Sequence, residues 1–500
     1  MSMVVVRRRR TRYAVAAVAL AALAGCGSTV QLDGPAAPAS GGEEGLGLTV
    51  PTTSSAPTTA TTTTLPVEPS HGGPTPASTS PATVAPPSGS TGTGTTSSAP
   101  APSKAPLEVG TYYLNGGNAA LSGLGFGGLI IPDNKPVFDA FMHYINNHGG
   151  VGGRQIKPVY YQYNEGGNPQ TQDAAACSTF TQDHHVSLVF GGINSGAGLL
   201  LPCLAQHGVP LIGSGGGGDA RYFEQYRDYD YEPDQMNFTT GLRVLVEDMK
   251  RRGYLANVHK VGVVQYPGAI YTNAVNDGLA PALAGVGLKI DARATTGSTT
   301  DNGAIASSAS SAELHFATEG INLVIFMTPG GAAETYFMTA ASTQHYKPKY
   351  GIWSADSPYV LEKVASKGQL QNTIGIGYEP GLDVASAQDP TAQTKAGRSC
   401  LAFGRKLHVS ETGLGNGLVR AACDDWLPIL QVAKHDPQAL DSASSLAAAL
   451  DSLGSSYQSA STFAMRFTPD RHDEAHGYRD MYFNYGCACF KYVGATRLAD

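Results

Sequence analysis

The stretch SLVFGGINSGAGLLLPCLAQHGVPLIGSGGGG, residues Ser187–Gly218, contains two short apolar runs separated by a helical segment. The first run ends at Phe190 in Gly-Gly-Ile-Asn-Ser, and the second ends at Ile212 in Gly-Ser-Gly. A strand, a helix and a second strand in this order favour a parallel sheet whose strands are connected by helices. Ligands of such doubly wound sheets bind beyond the carboxyl ends of the strands, so the two glycine- and serine-rich ends predict a binding edge.

The same alternation of strands and helices extends over most of the chain after Pro106. Short runs rich in valine and isoleucine predict nine strands, at Leu107–Leu114, Ile156–Tyr163, Val186–Phe190, Val209–Ile212, Val258–Gln265, Leu288–Ala292, Ile321–Met327, Tyr350–Trp353 and Thr373–Tyr378. Amphipathic stretches predict helices at Val137–Asn147, Gln170–Asp183, Met236–Arg252, Tyr271–Ala284 and Thr335–His345. The region Pro390–Leu453 is predicted to be mostly helical, and Thr462–Val493 returns to strands. Two successive series predict an α/β chain with two doubly wound parallel-sheet lobes.

The residues at the predicted binding edge are suited to hold a carboxylate. Asn194, Ser195 and Gly196 follow the first strand of the opening stretch, and Ser214 and Gly215 follow the second. Asn194 and Ser195 can cap the next helix, whose free amides carry partial positive charge, and glycine lets a ligand approach the backbone closely. The alternative is that Ser195 is only a helix cap and that the glycines only form a turn.

The N-terminus has the pattern of an export signal. Five arginines within the first twelve residues precede the apolar run Tyr13–Ala24, which is too short to be a permanent membrane span. The run ends in Leu-Ala-Gly-Cys at Cys26, which resembles the lipobox of bacterial lipoproteins, so residues 1–25 are predicted to be removed and Cys26 acylated. An ordinary signal peptide with an incidental cysteine is the alternative. No later segment is apolar enough to span a membrane.

Residues 26–106 are rich in Thr, Ser, Pro, Gly and Ala and contain few aromatic residues. Such a segment buries too little apolar surface to offset its ordering entropy, so a disordered tether is predicted. A flexible coil of about 70 residues has an end-to-end distance on the order of 45 Å. The tether would therefore hold a folded domain away from a membrane.

The charge balance argues against nucleic acid as a partner. The chain has 33 basic and 40 acidic residues, and the predicted signal peptide contains five of the arginines and no acidic residue. The mature chain is therefore more acidic than the full-length net charge of −7, which is unlike a nucleic-acid-binding surface.

Six cysteines remain when Cys26 is assigned to lipid, and an even number in an exported chain predicts disulfides. Cys177 and Cys203 fall on neighbouring predicted helices, as do Cys400 and Cys423, which favours these two pairs. Cys487 and Cys489 would then close a small ring between themselves, and a zinc site is the alternative for them.

The segment Ile145–Ile156, INNHGGVGGRQI, resembles the "IN..GGV.GR.I" signature of type I periplasmic solute-binding proteins, the branch that includes leucine/isoleucine/valine-binding proteins of ABC importers. The order of later elements is also similar, with Asn168-Pro169 before the second helix and the two strands of the opening stretch after it. The resemblance covers about Leu107 to Val493 and is strongest before Gly215.

The resemblance implies a type I periplasmic-binding fold, in which two lobes are joined by three chain crossings. The crossings are expected near Asp234, Ser354 and Arg479. The N-terminal lobe would then contain residues 107–234 and 354–478, and the C-terminal lobe residues 235–353 and 479–500.

The resemblance also implies where a ligand is held. Tyr271 falls where the family has a ligand-contacting tyrosine in the second lobe, and Phe126 stands near the family's aromatic residue after the first strand. The acid that pairs with an ammonium group is missing after Met327, so Glu334 and Asp356, the latter after Trp353, are the candidates. The predicted ligand-binding residues are Phe126, Asn194, Ser195, Gly196, Ser214, Gly215, Tyr271, Glu334, Trp353 and Asp356.

Other chemistries are poorly supported by the sequence. Gly213–Gly218 spells GxGxxG, but no helix with the dinucleotide-binding pattern follows it. His472–His476 lacks the HExxH order and lies in a predicted turn, and neither a GxSxG elbow nor a P-loop is present. We therefore expect no enzymatic activity, no metal and no cofactor.

These observations predict an extracytoplasmic lipoprotein on the cell membrane. It is expected to be a monomer that captures a small polar solute, such as an amino acid, an amide or a related carboxylate, between two closing lobes and delivers it to an ABC permease. The alternative is a ligand-sensing or scaffold lipoprotein of the cell envelope that uses the same fold without transport.

Overall fold

The fold is described from a computed structural model for residues 105–115, 134–164, 167–191, 198–213, 217–408, 415–469, 473 and 475–499. All of them lie in the compact unit that spans residues 93–500. The predicted signal peptide, Cys26 and nearly all of the predicted tether lie outside the described residues.

The first sheet has five parallel strands in the order β2-β1-β3-β4-β5. The strands are β1 (Leu107–Asn115), β2 (Ile156–Asn164), β3 (Leu188–Phe190), β4 (Leu211–Ile212) and β5 (Asp230–Tyr231). The helices that follow β1 to β4 in turn are α1 (Asn134–Asn147), α2 (Pro169–Ser178), α3 (Leu200–Gln206) and α4 (Ala220–Gln225). Only β5 was not predicted, because its two residues lie in a polar, tyrosine-rich stretch without an apolar run.

The INNHGGVGGRQI segment forms the end of α1, the turn that follows it and the start of β2. The Asn146 side chain accepts a hydrogen bond from the Ile156 amide at 2.7 Å and donates one to the Ile156 carbonyl at 2.9 Å. Gly150 has φ +76°, and a Cβ there would overlap the Arg154 carbonyl, so only glycine fits. The asparagine and the glycine together fix how the first helix returns to the sheet.

The second sheet has seven strands in the order β12-β11-β10-β9-β8-β6-β7. The strands are β6 (Val261–Gln265), β7 (Ile290–Thr295), β8 (Leu323–Met327), β9 (Lys349–Trp353), β10 (Ile374–Gly377), β11 (Gly477–Asn484) and β12 (Cys489–Leu498). Strands β6 to β10 are parallel, whereas β11 is antiparallel to both β10 and β12. All nine predicted strands are therefore present, five of them in this sheet.

Helices surround the second sheet and also extend the first lobe. In the second lobe they are α5 (Phe238–Arg251), α6 (Ala269–Asn273), α7 (Ala280–Ala284), α8 (Asn302–Glu319), α9 (Ala332–Thr343), α10 (Pro358–Val364), α11 (Lys367–Leu370) and α12 (Pro380–Asp383). Helices α13 (Lys395–Lys406), α14 (Gly415–His435) and α15 (Ala443–Asp451) follow. These last three share one buried cluster with β1, β3 and α1, so they belong to the first lobe. The sequence did not predict α8, whose alanines and serines give little amphipathic contrast.

The chain crosses between the lobes three times. The first crossing follows β5 and leads into α5, as expected near Asp234. The expected second crossing near Ser354 is wrong, because β10 pairs with β9 in the second sheet, and the chain returns to the first lobe only between Gly377 and α13. The third crossing lies between Phe467 and β11, shortly before Arg479.

Hydrogen bonds tie the three crossings together. The Gln235 side chain donates to Glu379 Oε2 at 3.1 Å, and the Gln235 carbonyl accepts from the Ala475 amide at 3.1 Å. The amide and the side chain of Asn237 both donate to Asp473 Oδ2, at 2.7 and 2.9 Å. One residue of the first crossing thus contacts both of the others, so the three segments form one connected unit between the lobes.

Three disulfides pair the six cysteines as the sequence analysis favoured. Cys177 and Cys203 join α2 to α3, and Cys400 and Cys423 join α13 to α14, in each case with 6.2 Å between Cα atoms. Cys487 and Cys489 are bonded to each other in the turn between β11 and β12, which leaves no free thiolate there for zinc. Among the described residues, no helix is long and apolar enough to cross a membrane.

Candidate functional site

The predicted binding edge of the first lobe is formed by the aligned ends of three strands. Phe190 of β3 lies opposite Ile212 of β4, which in turn lies opposite Tyr231 of β5. The Gly191 amide donates to the Ile212 carbonyl at 2.8 Å, and the Gly213 amide donates to the Tyr231 carbonyl at 2.8 Å. The loops that leave β3 and β4 therefore start side by side at the carboxyl edge of the sheet.

The residues predicted to bind a ligand in these loops fall outside the described residues, as does Phe126 after β1. In the two loops they are Asn194, Ser195, Gly196, Ser214 and Gly215. Their assignment therefore stays a prediction, supported by the side-by-side start of the two loops.

Asp425, on α14, is a carboxylate at the same edge that the sequence analysis did not identify. Gly213 directly follows β4 with φ +63°, and a Cβ at this position would overlap the Asp425 carboxylate. Asp425 is only 6% exposed, and no described residue donates a hydrogen bond to it. No motif surrounds Asp425, and only packing brings α14 against the end of β4.

The electrostatic environment of Asp425 is strongly acidic. Burial raises the pKa of the Asp425 carboxyl well above its ordinary value, and the charges of Asp234 and Asp424 raise it further. The nearest cation on the same helix, Arg420, is already paired with Asp389 in a fully buried ion pair. A ligand group that donates hydrogen bonds or carries positive charge would therefore be favoured beside Asp425.

Tyr271 lies at the start of the second lobe's helical layer, on α6 just after β6. Its ring stacks on Phe238 with centroids 6.0 Å apart and meets the edge of Tyr266 at 5.6 Å. The Tyr271 ring is partly buried, and burial raises the pKa of its hydroxyl to about 12, so it is a neutral hydrogen-bond donor at physiological pH.

Phe238 connects Tyr271 to the first-lobe loop that contains Ser214 and Gly215. The Phe238 amide donates to the Gly218 carbonyl at 2.8 Å, and a Cβ on Gly217 would lie 2.6 Å from the Phe238 ring. The tyrosine predicted to contact the ligand is thus separated from the β4 loop by one aromatic ring.

A surface ion pair also links the two lobes near this place. Arg221 lies on α4 of the first lobe, and its Nη2 atom is 2.8 Å from Oδ2 of Asp277. Asp277 belongs to the π-helical segment Ala274–Leu279, which follows α6 in the second lobe. Both side chains are substantially exposed, so the pair stabilises the approach of the lobes only weakly.

Trp353 lies in the buried core of the second lobe rather than at a surface. The indole is fully buried against α5, where a Cβ on Gly241 would overlap it, and it meets the rings of Phe238 and Tyr378 edge-on. In this structure Trp353 supports Phe238 and offers no surface to a ligand.

Glu334 and Asp356 form a buried carboxyl pair, which also differs from their predicted role as ligand contacts. Both are 0% exposed. Glu334 Oε1 accepts a hydrogen bond from the Thr328 hydroxyl at 2.6 Å, and Asp356 Oδ2 accepts one from the Trp353 amide at 3.0 Å. The two remaining oxygens, Glu334 Oε2 and Asp356 Oδ1, have no hydrogen-bond partner among the described groups.

Burial and the charge of each carboxyl on the other oppose ionisation of the pair. Burial raises the pKa of Glu334 to about 7, and burial together with the Glu334 charge raises the pKa of Asp356 well above its ordinary value. At neutral pH the pair therefore retains at least one proton. The pair joins the ends of β8 and β9, and neither acid is accessible to an ammonium group in this structure.

Two α/β lobes joined by three crossings, with the ends of parallel strands facing the junction, define a protein that binds ligands between its lobes. A family model described as "Periplasmic binding protein" matches residues 121–396, more than half of the chain. The chain belongs to the periplasmic binding protein family. No curated protein sequence matches it significantly.

Solved structures share this fold at low sequence identity. A possible leucine/isoleucine/valine-binding protein from Rhodopirellula baltica is 13% identical with a TM-score of 0.56, and the match covers 79% of this chain and 98% of that one. A branched-chain amino acid ABC transporter protein from Thermus thermophilus with bound valine is 14% identical with a TM-score of 0.56, covering 79% and 97%. A solute-binding protein from Rhodopseudomonas palustris in complex with 3,4-dihydroxybenzoic acid is 13% identical, again with a TM-score of 0.56 and coverage of 79% and 97%.

Proposed function

We propose that this protein is an extracytoplasmic solute receptor that captures a small polar ligand between its two lobes and delivers it to an ABC importer. The observation that carries the proposal is the convergence of two groups at the junction. The loops after β3 and β4 start side by side on one lobe, and Tyr271 of the other lobe reaches the β4 loop through Phe238. A solute held there would contact both lobes.

Binding in such a site favours the closed arrangement of the lobes. A ligand shifts an open-to-closed equilibrium only as far as it prefers the closed form, and a ligand that bridges both lobes has that preference. The linked crossings at Gln235 allow the lobes to move about one connected unit. The closed form would be the form that the permease recognises.

The proposed solute is an amino acid, an amide or a related carboxylate. Ser195, Ser214 and the amides near them would hold the carboxylate. Asp425, rather than the buried Glu334 or Asp356, would accept the ammonium or amide hydrogens, because it is the acid that borders the end of β4 without a donor from the described residues. A charge-assisted hydrogen bond of this kind contributes roughly 1.5–3 kcal/mol.

A ligand screen tests the proposal. Full-length protein is heated with millimolar amino acids, amides, hydroxybenzoates, short peptides and polyols, and at least one of the first three classes is expected to raise its Tm. Asp425→Asn and Ser195→Ala should each weaken the binding of that ligand about tenfold or more, whereas Glu319→Gln at an exposed helix end should leave it unchanged. If no class raises the Tm, or if all three variants bind alike, the cleft is not the solute site.

The proposal includes a lipid anchor at Cys26 and an importer as the partner. The lipobox-like sequence before Cys26 supports the anchor. Wild-type protein should sediment with membranes, whereas Cys26→Ser should be released into the medium. Deletion of the gene should abolish uptake of the solute found in the screen. Normal uptake with an altered envelope response would instead favour the sensing or scaffold role.

A further inference from the structure

A cavity lies beside the chain crossings. It has a volume of about 570 Å³, which is in the range of small-molecule sites. The described residues that line it are Pro390, Thr391, Thr394, Ala396, Ser455, Tyr457, Gln458, Ser459, Thr462, Phe463, Ala464, Met465, Arg466, His476, Arg479, Thr496 and Leu498. We call it the hinge groove. None of the residues assigned to the solute site lines it.

Both lobes contribute to the hinge groove. Tyr457 and Met465 belong to the buried cluster of the first lobe, whereas Arg479 and Thr496 lie on β11 and β12 of the second sheet. Thr391 and its neighbours come from the second crossing. Any molecule that fills the groove would therefore contact the two lobes and a segment between them.

The charge of the groove is opposite to that of the whole chain. Arg466, Arg479 and His476 line it, and no aspartate or glutamate is among its described lining residues. Neither arginine forms an ion pair with a described carboxylate. In a chain with a net charge of −7, a groove of this composition favours an anion.

Arg479 is held in a fixed position. Its Nε donates to the Thr496 hydroxyl at 3.1 Å, and its guanidinium carbon lies 4.6 Å from the centroid of the Phe463 ring. The hydrogen bond and the aromatic face use one N–H and one side of the guanidinium plane, so its terminal nitrogens remain able to bind an oxyanion in two-pronged fashion.

A buried hydroxyl without a partner also lines the groove. Thr462 is only 3% exposed, and its Oγ1 makes no hydrogen bond to any described group. An unsatisfied buried hydroxyl is costly, so this one would gain a hydrogen bond by turning from its buried position toward a molecule in the groove. Thr462 lies next to Phe463, the residue on which Arg479 packs.

The carboxylate behind the groove wall does not repel an anion strongly. Asp424 is fully buried and accepts hydrogen bonds from the hydroxyls of Tyr457 and Ser459, at 2.8 and 2.6 Å, and from the backbone amides of Ala460 and Ser461. Donors therefore surround its charge.

We propose that the hinge groove binds an anionic small molecule, with a phosphate or carboxylate on a hydroxylated, sugar-like body. Arg479 and Arg466 bind the oxyanion, Thr462 and the other hydroxyls bind the body, and Tyr457 and Phe463 provide aromatic surface. Because both lobes line the groove, its occupant favours one separation of the lobes over others. The groove shares no lining residue with the proposed solute site, so the two can be tested separately.

Isothermal titration calorimetry of the full-length protein with glucose 6-phosphate, gluconate, inorganic phosphate and glucose tests the proposal. Glucose 6-phosphate and gluconate, the two anionic sugar derivatives, are expected to bind. Inorganic phosphate is expected to bind more weakly, and neutral glucose is expected not to bind. Arg479→Gln should raise the Kd of the two anionic sugar derivatives at least about tenfold, because one charge-assisted hydrogen bond is lost. Arg243→Gln, which removes a partly buried arginine that pairs with Glu247 on α5 outside the groove, is the matched control.

Two further variants separate the possible failures. Arg466→Gln leaves the Arg479–Thr496 bond intact, so it tests the groove's charge if Arg479→Gln does not fold. Asp425→Asn should leave binding in the hinge groove unchanged, which distinguishes it from the solute site. Absence of binding by all four probes, or equal weakening by Arg243→Gln and the groove variants, would overturn the proposal without bearing on solute capture.

Discussion

Replacing Glu334 by Gln should make the protein more stable at alkaline pH and leave its stability at acid pH unchanged. The pKa of Glu334 rises from an ordinary value of 4.5 to about 7 on folding, because burial disfavours the charged form. A group whose pKa is raised by folding stabilises the folded state fully below its unfolded pKa, and this contribution is lost as the pH rises through the folded pKa. The relevant window is therefore pH 4.5 to 7.

The size of the effect follows from the pKa difference. A difference of about 2.5 units at about 1.4 kcal/mol per unit gives roughly 3 kcal/mol, reached above pH 7. A glutamine at position 334 keeps the hydrogen bond from Thr328 through its carbonyl oxygen, and its amide can donate to Asp356. The variant thus imitates the protonated acid at every pH.

Urea unfolding of wild type and variant between pH 4 and pH 8.5 provides the measurement. The two free energies of unfolding should agree near pH 4.5 and diverge progressively until the variant is the more stable by up to about 3 kcal/mol near pH 8. Glu319→Gln, at the exposed end of α8, should follow the wild-type curve throughout. Parallel curves for wild type and Glu334→Gln would show that the carboxyl pair does not retain its proton.

Three other substitutions test the fold and the cleft. Asn146→Ala removes two hydrogen bonds to the backbone where β2 begins, and calorimetry should show a loss of roughly 1–3 kcal/mol. Gly213→Ala places a methyl group against Asp425 at a positive φ, so solute affinity should fall even if the far-ultraviolet circular dichroism is unchanged. Arg221→Ala breaks the exposed ion pair with Asp277, and Tm should change by little, consistent with about 0.2–1 kcal/mol that vanishes in high salt. A large, salt-independent loss for Arg221→Ala would show that this contact between the lobes is not a simple surface pair.

The sequence predicts features that depend on local chemistry. The nine strands follow from short valine- and isoleucine-rich runs, and the signature that includes Asn146 and Gly150 encodes a turn that few other residues can make. The disulfide pairs follow from the placement of cysteines on consecutive helices. The strand β10 was also predicted, but it was assigned to the first lobe and lies in the second. Its partner β9 could not be read from its own sequence, because strand partners depend on the whole sheet.

Features made by distant packing were not predictable in the same way. Asp425 becomes part of the binding edge only because α14 packs against the end of β4. Glu334 and Asp356 were predicted as candidates to pair with a ligand's ammonium group, but their burial against each other results from the meeting of two strand ends. A sequence shows that a carboxylate follows a strand, whereas only the fold determines whether that carboxylate faces solvent or another carboxylate.

Helix α14 links the two regions where ligands are proposed to bind. Asp424 anchors the wall of the hinge groove through Tyr457 and Ser459, and the next residue, Asp425, lies against Gly213 at the binding edge. Neighbouring residues of one helix therefore contact both regions. If an anion in the groove changes solute affinity by some factor, the solute must change anion affinity by the same factor, because binding free energies are reciprocal. The position of α14 would then be set by both ligands, and the groove would adjust how readily the lobes close on the solute.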